Sequence, residues 1–177
     1  MSASMVSIVM GSASDWSVMQ STAEQLAVLQ ISYEVTVSSA HRAPQRTSAL
    51  ARGAAERGVK VIVAGAGGAA HLAGVLAAET TLPVIGVPID SSALGGMDAL
   101  LATVQMPRGV PVATVAIGKA GAANAGILAA QMIALSDLEV AARLRQYKAD
   151  LAAKVERDAA ALEAQVQGGM DAAASQG

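Results

Sequence analysis

The chain has 177 residues and a formal net charge of −2, with 53% hydrophobic residues, 15% charged residues and no cysteine. That length suits one domain with a full core, and the mild acidity excludes the basic face of a nucleic-acid binder. The lack of cysteine excludes disulfides, thiolate catalysis and thiolate zinc sites. A soluble domain ordinarily carries about 25% charged residues, so a chain this poor in charge is expected to bury surface between subunits. There is no Phe, and the aromatic residues are Trp16, Tyr33 and Tyr147, so the alanine-rich elements must pack closely. The N-terminus has no basic stretch before its first apolar run, unlike a signal peptide, and the longest apolar runs are broken by glycine, asparagine or glutamine. A soluble, cytoplasmic protein with no membrane partner is expected.

Residues 7–10 form a short apolar run ending in glycine, a buried strand. Over 15–29 the spacing of Val18, Met19, Leu26 and Leu29 is helical. Residues 33–37 alternate and are β-rich, the second strand. Pro44 suits the first turn of a helix that runs to about Arg57, with Gly58 as its stop. The third strand covers 59–64, the third helix 72–80, the fourth strand 83–88, a short helix 98–105 and the fifth strand 111–117. The alanine-rich helix over 120–135 is apolar on nearly every face and is expected to be buried, with Asn124 obliged to pair.

Five alternations of strand and helix predict a three-layer α/β sandwich on a five-stranded parallel sheet. Right-handed crossovers make the flavodoxin-like order 2-1-3-4-5 the leading topology. Ser136-Asp137-Leu138-Glu139 reads as a capping box, Ser136 at N-cap and Glu139 at N3, opening an extra C-terminal helix over about 136–165. Its stripe of Val140, Leu144, Tyr147, Leu151 and Val155 is expected to dock on a neighbouring subunit, because five helices already cover the sheet. Residues 1–167 then form one catalytic domain, and 168–177 a disordered tail.

Three loops follow strands on the edge of the sheet where ligands of this fold class bind. Gly11-Ser12-Ala13-Ser14-Asp15-Trp16 offers two hydroxyls and free N–H groups at a helix start, an anion site, although Ser14 or Asp15 could simply cap the helix. It is neither a P-loop nor a dinucleotide fingerprint, so the phosphate of a mononucleotide fits, with Asp15 on a ribose hydroxyl. Ser39-Ala40-His41-Arg42 adds a forked guanidinium for phosphate and an imidazole that can move a proton near neutral pH. In Gly65-Ala66-Gly67-Gly68 the glycines let main chain approach a ligand. His71 stands at the next helix start, in a neutral site role or as a cap. Two histidines without a carboxylate cluster do not make a metal site. The proline-bounded loop over 104–109 could cover a pocket.

Five ordered motifs carry a resemblance: Gly-Ser-x-Ser-Asp-Trp at 11–16, Ser-Ala-His-Arg-x-Pro at 39–44 and Ala-Gly-Ala-Gly-Gly-Ala-Ala-His-Leu at 64–72. Val-Gln-Met-Pro-x-Gly-Val-Pro-Val at 104–112 and Ala-Ile-Gly-Lys-Ala-Gly-Ala-Ala-Asn-Ala at 116–125 complete the set. Over about residues 5 to 135 the chain resembles the bacterial class I N5-carboxyaminoimidazole ribonucleotide mutases of purine biosynthesis. The resemblance implies an isomerase that moves a carboxyl group from N5 to C4 of the aminoimidazole, with no metal, biotin, ATP or other cofactor. It implies phosphate binding by Ser12, Ser14, Ser39 and Arg42, ribose binding by Asp15, and main chain of Gly65, Ala66, Gly67 and Gly68 around the migrating carboxyl. His41 is implied as general acid/base, with His71 nearby, and a homo-octamer with sites near subunit boundaries is implied as well. The family's usual proline after His71-Leu72 is Ala73 here, which predicts a slightly looser loop. Arginine after His41 favours the mutases over relatives that carboxylate aminoimidazole ribonucleotide directly with carbon dioxide and tend to carry lysine there. The rival outside enzymology is a nucleotide- or flavin-binding module without catalysis, and the scarcity of aromatic residues disfavours flavin.

Overall fold

The computed structural model describes residues 4–174 of the chain, with side chains to residue 167. In chain order the elements are β1 (Val6–Met10), α1 (Trp16–Val28), β2 (Tyr33–Val37), α2 (Pro44–Arg52), β3 (Val61–Gly67) and α3 (Leu72–Ala78). They continue as β4 (Val84–Ile89), α4 (Met97–Val104), β5 (Ala113–Thr114), α5 (Gly118–Ala134) and α6 (Leu138–Ala174). The sheet order is β2-β1-β3-β4-β5 and every pairing is parallel, as the alternation and crossover rules require. All five strands therefore end at one edge.

Two apolar layers hold the sheet. Ile8, Val63, Ile85 and Val87 on one face pack with Met19 and Leu26 of α1 and Ala122, Ala125 and Ile133 of α5. Val9, Ile62 and Ala64 on the other pack with Ala51 of α2 and Leu72, Ala73 and Leu76 of α3. Small residues set the spacing. A Cβ on Gly126 of α5 would lie 2.9 Å from the Thr22 carbonyl of α1, and the Thr22 hydroxyl donates to the Ala122 carbonyl at 2.7 Å, so the two helices lie nearly backbone to backbone.

Several boundaries differ from the sequence expectation for identifiable reasons. β5 keeps two residues of the seven expected, because Pro111 offers no N–H and the chain turns away after Val115, whose amide donates to Gly86. β3 runs on through Gly65, Ala66 and Gly67, which pair with Val87, Pro88 and Ile89 of β4; half of the expected glycine loop is strand. α2 stops at Arg52 and Gly53, and the chain reaches Gly58 through turns closed mostly over three residues. α5 buries one face, while Asn124 lies on the exposed face and needs no protein partner.

At α6 the cap is Asp137, whose Oδ1 accepts from the amides of Glu139 and Val140 at 3.0 Å each. Ser136, expected at N-cap, donates to the Ile133 carbonyl of the preceding helix at 3.4 Å. Val140 and Leu144 are buried in the chain's own core, and Arg143 Nε donates to the Leu29 carbonyl at 2.7 Å. The stripe thus has a home for its first turns, in the space left at the ends of α1 and α5, and only from Leu151 onward is it exposed. The helix expected to stop near 165 continues to Ala174, through an alanine-rich stretch with no proline to end it. Of the tail expected over 168–177, residues 175–177 lie outside the described residues.

Gly65 shows what one glycine does for this packing. A Cβ there would lie 2.4 Å from Met19 Sδ and 2.8 Å from its Cγ, and Met19 is fully buried, so the side chain has nowhere to go. Gly65→Ala is expected to destabilise the fold by about 1–3 kcal/mol, the usual overpacking cost, read as a lowered midpoint in thermal or urea unfolding. An unchanged midpoint would show that α1 yields more easily than its burial implies.

Candidate active site

The carboxyl ends of β1, β2, β3 and β4 surround a cavity of about 370 Å³, a size suited to a small-molecule ligand. Among the residues singled out in the sequence, Ser12, Ser14, Asp15, Ser39, His41, Arg42, Ala66, Gly67 and His71 line it. Gly65 and Gly68 do not. Gly65 lies beneath, against Met19, and Gly68 forms the turn out of β3 with φ of +58°.

The first loop is built around a reciprocal cap. Ser12 has extended backbone, and the chain then makes a 3-10 turn over Ala13–Asp15 before α1. The Asp15 carboxylate accepts from the Ser12 amide at 3.0 Å, while Ser12 Oγ accepts from the Ser14 amide at 3.4 Å and the Ser14 hydroxyl at 2.9 Å. Capping and anion binding are therefore not alternatives: with both neighbours donating to it, Ser12 Oγ has its own proton to point outward. Asp15 is buried, and burial pushes its carboxyl above the usual carboxylate range against the opposing pull of the Ser12 amide.

The second loop is anchored from below. Thr47 of α2 donates to the Ala43 carbonyl at 3.2 Å, so the buried 2.8 Å contact between Ser38 and Thr47 has Ser38 as donor. Ser38 N donates to Met10, tying the loop to β1. Arg42 then bridges the first two loops: its Nε reaches Ser39 Oγ at 3.4 Å and its Nη2 the Gly11 carbonyl at 3.3 Å. Ser39 Oγ also accepts the Arg42 amide at 3.3 Å, which leaves the Ser39 proton free in the same way as that of Ser12. The remaining guanidinium N–H groups complete a set of donors with no competing acceptor of their own.

His41 crosses from the second loop to the third. Its Nε2 lies 2.8 Å from Nδ1 of His71, with the rings perpendicular and their centroids 4.9 Å apart. Such a bond needs one ring to donate and the other to accept, so it holds only while at least one imidazole is neutral. His71 makes no side-chain cap to α3; its ring is turned into the cavity. Ala73 sits in the first turn of α3, buried and 3.3 Å from where a Cβ on Gly86 would lie, so the helix starts there without a proline.

Ser91, two residues past the end of β4, also lines the cavity, although no motif in the sequence marks it. The signal that points to it is its place: loops at the carboxyl ends of parallel strands carry the site, and the loop after the fourth strand is one of them. The loop over 104–109 does not reach the cavity of its own chain; Met106 packs instead toward Gly74 of α3. Among the described residues no three His, Asp or Glu side chains gather as metal ligands.

Comparison with known proteins agrees with this layout. The family described as AIR carboxylase matches residues 5–154. The N5-carboxyaminoimidazole ribonucleotide mutase of Escherichia coli (strain K12) is 55% identical over 143 residues, 81% of this chain and 85% of the relative. The protein of the same name from Bacillus subtilis (strain 168) is 59% identical over 140 residues, 79% of this chain and 86% of the relative. The crystal structure of Treponema denticola PurE superposes with a TM-score of 0.78 at 28% identity, covering 86% of this chain and 94% of that one. Sheet order, cavity and sequence all point the same way: the chain belongs to the AIR carboxylase family.

Proposed function

We propose that the chain isomerises N5-carboxyaminoimidazole ribonucleotide to 4-carboxy-5-aminoimidazole ribonucleotide in purine biosynthesis. The observation that carries the reading is the 2.8 Å His41–His71 pair beside a cluster of free hydroxyl and guanidinium donors. It stands in a chain 55–59% identical to relatives named for that reaction. Ser12, Ser14, Ser39 and Arg42 bind the phosphate; the free protons of Ser12 and Ser39 and the open guanidinium N–H groups suit an anion, and the Ser14 hydroxyl, which donates to Ser12, stands beside them. Asp15 accepts from the ribose, and the main chain at Ala66 and Gly67 faces the carboxyl group in transit.

His41 is the general acid/base. As the N5–carbon bond breaks, carbon dioxide leaves and the electron pair stays on nitrogen, which takes a proton from His41. C4 then attacks the carbon dioxide, and the proton displaced from C4 returns to His41. The ring thus ends as it began, and an imidazole, which can both give and take a proton, suits both steps. His71 holds the His41 ring in place through their shared hydrogen bond, acting as a positioning residue. No cofactor enters this scheme.

We infer also a homo-octamer, as the resemblance implies, and a place in the cytoplasm, as the sequence leads one to expect. Support comes from apolar side chains left open: Val35 and Val37 on edge strand β2, Leu94 before α4 and Leu101 on it, and Leu151 and Val155 on α6.

Supplying the carboxylated nucleotide without bicarbonate tests the reaction, and His41→Asn tests the assignment. The wild type should form product with no added bicarbonate, and the variant should lose at least about 10²-fold in kcat while still binding nucleotide. Turnover that appears only from aminoimidazole ribonucleotide plus bicarbonate would make the chain a direct carboxylase.

Asp15→Asn should separate stability from function. Burial disfavours the ionised carboxylate, so at neutral pH the wild type carries a cost that the amide does not. As pH falls through the raised folded-state pKa, Asp15 becomes neutral and that cost disappears. The variant is therefore expected to unfold at an equal or higher temperature at pH 7, with the advantage shrinking in acid, and to bind nucleotide more weakly. A lower midpoint at pH 7 would mean that the cap to Ser12 outweighs the burial cost.

Truncation after Lys148 keeps Val140, Leu144 and Tyr147 and removes the exposed part of α6. Light scattering should then report an assembly smaller than an octamer; an intact octamer would move the interface to β2 and α4.

A further inference from the structure

We propose that the Ser91 hydroxyl is a substrate contact that holds the migrating carboxyl group at the imidazole end of the cavity, an inference resting on the mutase reading above. Ile89, the last residue of β4, is paired with Gly67, the last residue of β3. Two residues on, Ser91 folds back over that pair. A Cβ on Gly67 would lie 1.8 Å from Ser91 Oγ, 3.0 Å from Ser91 Cβ and 3.2 Å from the Ile89 carbonyl. The hydroxyl therefore occupies the volume that any side chain at position 67 would fill. Gly67 is small enough to admit it to the cavity wall.

The two neighbouring serines differ in what they do. Ser92 Oγ donates to Asp98 Oδ1 at 2.9 Å and accepts the Leu94 amide at 3.2 Å, which fixes the loop between β4 and α4. Ser91 lines the cavity, and its hydroxyl has no hydrogen-bond partner among the described residues. A rigid loop thus presents one uncommitted donor and acceptor to the ligand space.

Position in the sheet says which end of the ligand it meets. β4 stands two strands from β1, whose loop carries Ser12 and Ser14, and strands lie about 4.8 Å apart, so the two loops are separated by roughly 10 Å. With phosphate at the β1 and β2 loops, a ribose and a five-membered ring span that gap and bring the reacting atoms beside Gly67 and Ser91. A hydroxyl suits this place because it rotates. It donates to a carboxylate oxygen in the N5-bound and C4-bound states alike, and no bond to Ser91 forms or breaks. Its work is to keep the freed carbon dioxide over C4.

The test compares the full-length wild type with Ser91→Ala and Ser91→Thr in single turnovers, enzyme in excess over N5-carboxyaminoimidazole ribonucleotide. Two quantities are followed: the rate of product formation, and the fraction of nucleotide ending as decarboxylated aminoimidazole ribonucleotide. Ser91→Ala should slow turnover by about tenfold, the scale of one lost hydrogen bond, and raise the decarboxylated fraction at least about threefold over wild type. Ser91→Thr, which keeps the hydroxyl, should restore much of both. An alanine variant with wild-type rate and partition overturns the proposal. So does one whose only change is a raised KM, since that places the hydroxyl on a part of the nucleotide that does not react. If the wild type itself makes no product, the mutase reading fails instead.

Discussion

Every polar group in the cavity hangs from a strand that ends at the same edge of one parallel sheet. That alignment depends on the register around β1, where Met10 is paired with Val37 of β2 on one side and with Gly65 of β3 on the other. Side chains alternate along a strand, so a slip of one residue would turn Ile8 and Met10 out of their layer and Val9 out of the opposite one. The register cannot slip without emptying the core. The loops that leave these strands are therefore fixed in height to within the pleat, and short contacts between them become possible: Arg42 to Gly11, and His41 to His71. Both link residues about 30 positions apart in the chain. Neither needs a bound ligand to form, and preorganised donors of this kind are what make electrostatic binding effective.

Much of this was legible from residue types. The edge strand over 33–37 was readable from its alternation, the sheet order from the handedness of crossovers, and most cavity residues from their place after strands. What stayed hidden depended on partners distant in sequence. Nothing local says that Gly65 is a glycine because of Met19, while Gly67, two residues on, makes room for Ser91; both sit in one glycine-rich run and look alike. Pattern also overstated the isolation of α6. A stripe of apolar residues with i, i+4, i+7 spacing says that a helix has one buried face, not whose surface buries it. The gap at the ends of α1 and α5 that takes Val140 and Leu144 exists only in three dimensions.

Asp15 sets a local cap against the cost of burying a carboxylate. Its carboxylate satisfies the Ser12 amide, a service asparagine would also perform, yet burial works against its charge. Packing alone would not select a carboxyl that burial pushes up, and on the proposed reading its partner is the ribose. The neighbouring serines show the same preference in a milder form: Ser12 and Ser39 are each held as acceptors by nearby donors, so that what they show the cavity is a proton. A cap built for stability alone would have no reason to leave those protons facing outward.

The histidine pair raises a different constraint. His41 and His71 are both exposed in the single chain, whereas a reaction passing through free carbon dioxide requires a site closed to water and to escape. The chain's own loop over 104–109 packs toward α3 and does not close it. On the proposed reading a second copy supplies the missing wall, and the open apolar side chains along β2, α4 and the outer part of α6 offer it a seat. Under that proposal assembly and catalysis are one requirement: an oligomer would supply the dry enclosure that acid/base chemistry at His41 presupposes, and a dispersed monomer with every contact in the cavity intact would still release its carbon dioxide to solvent.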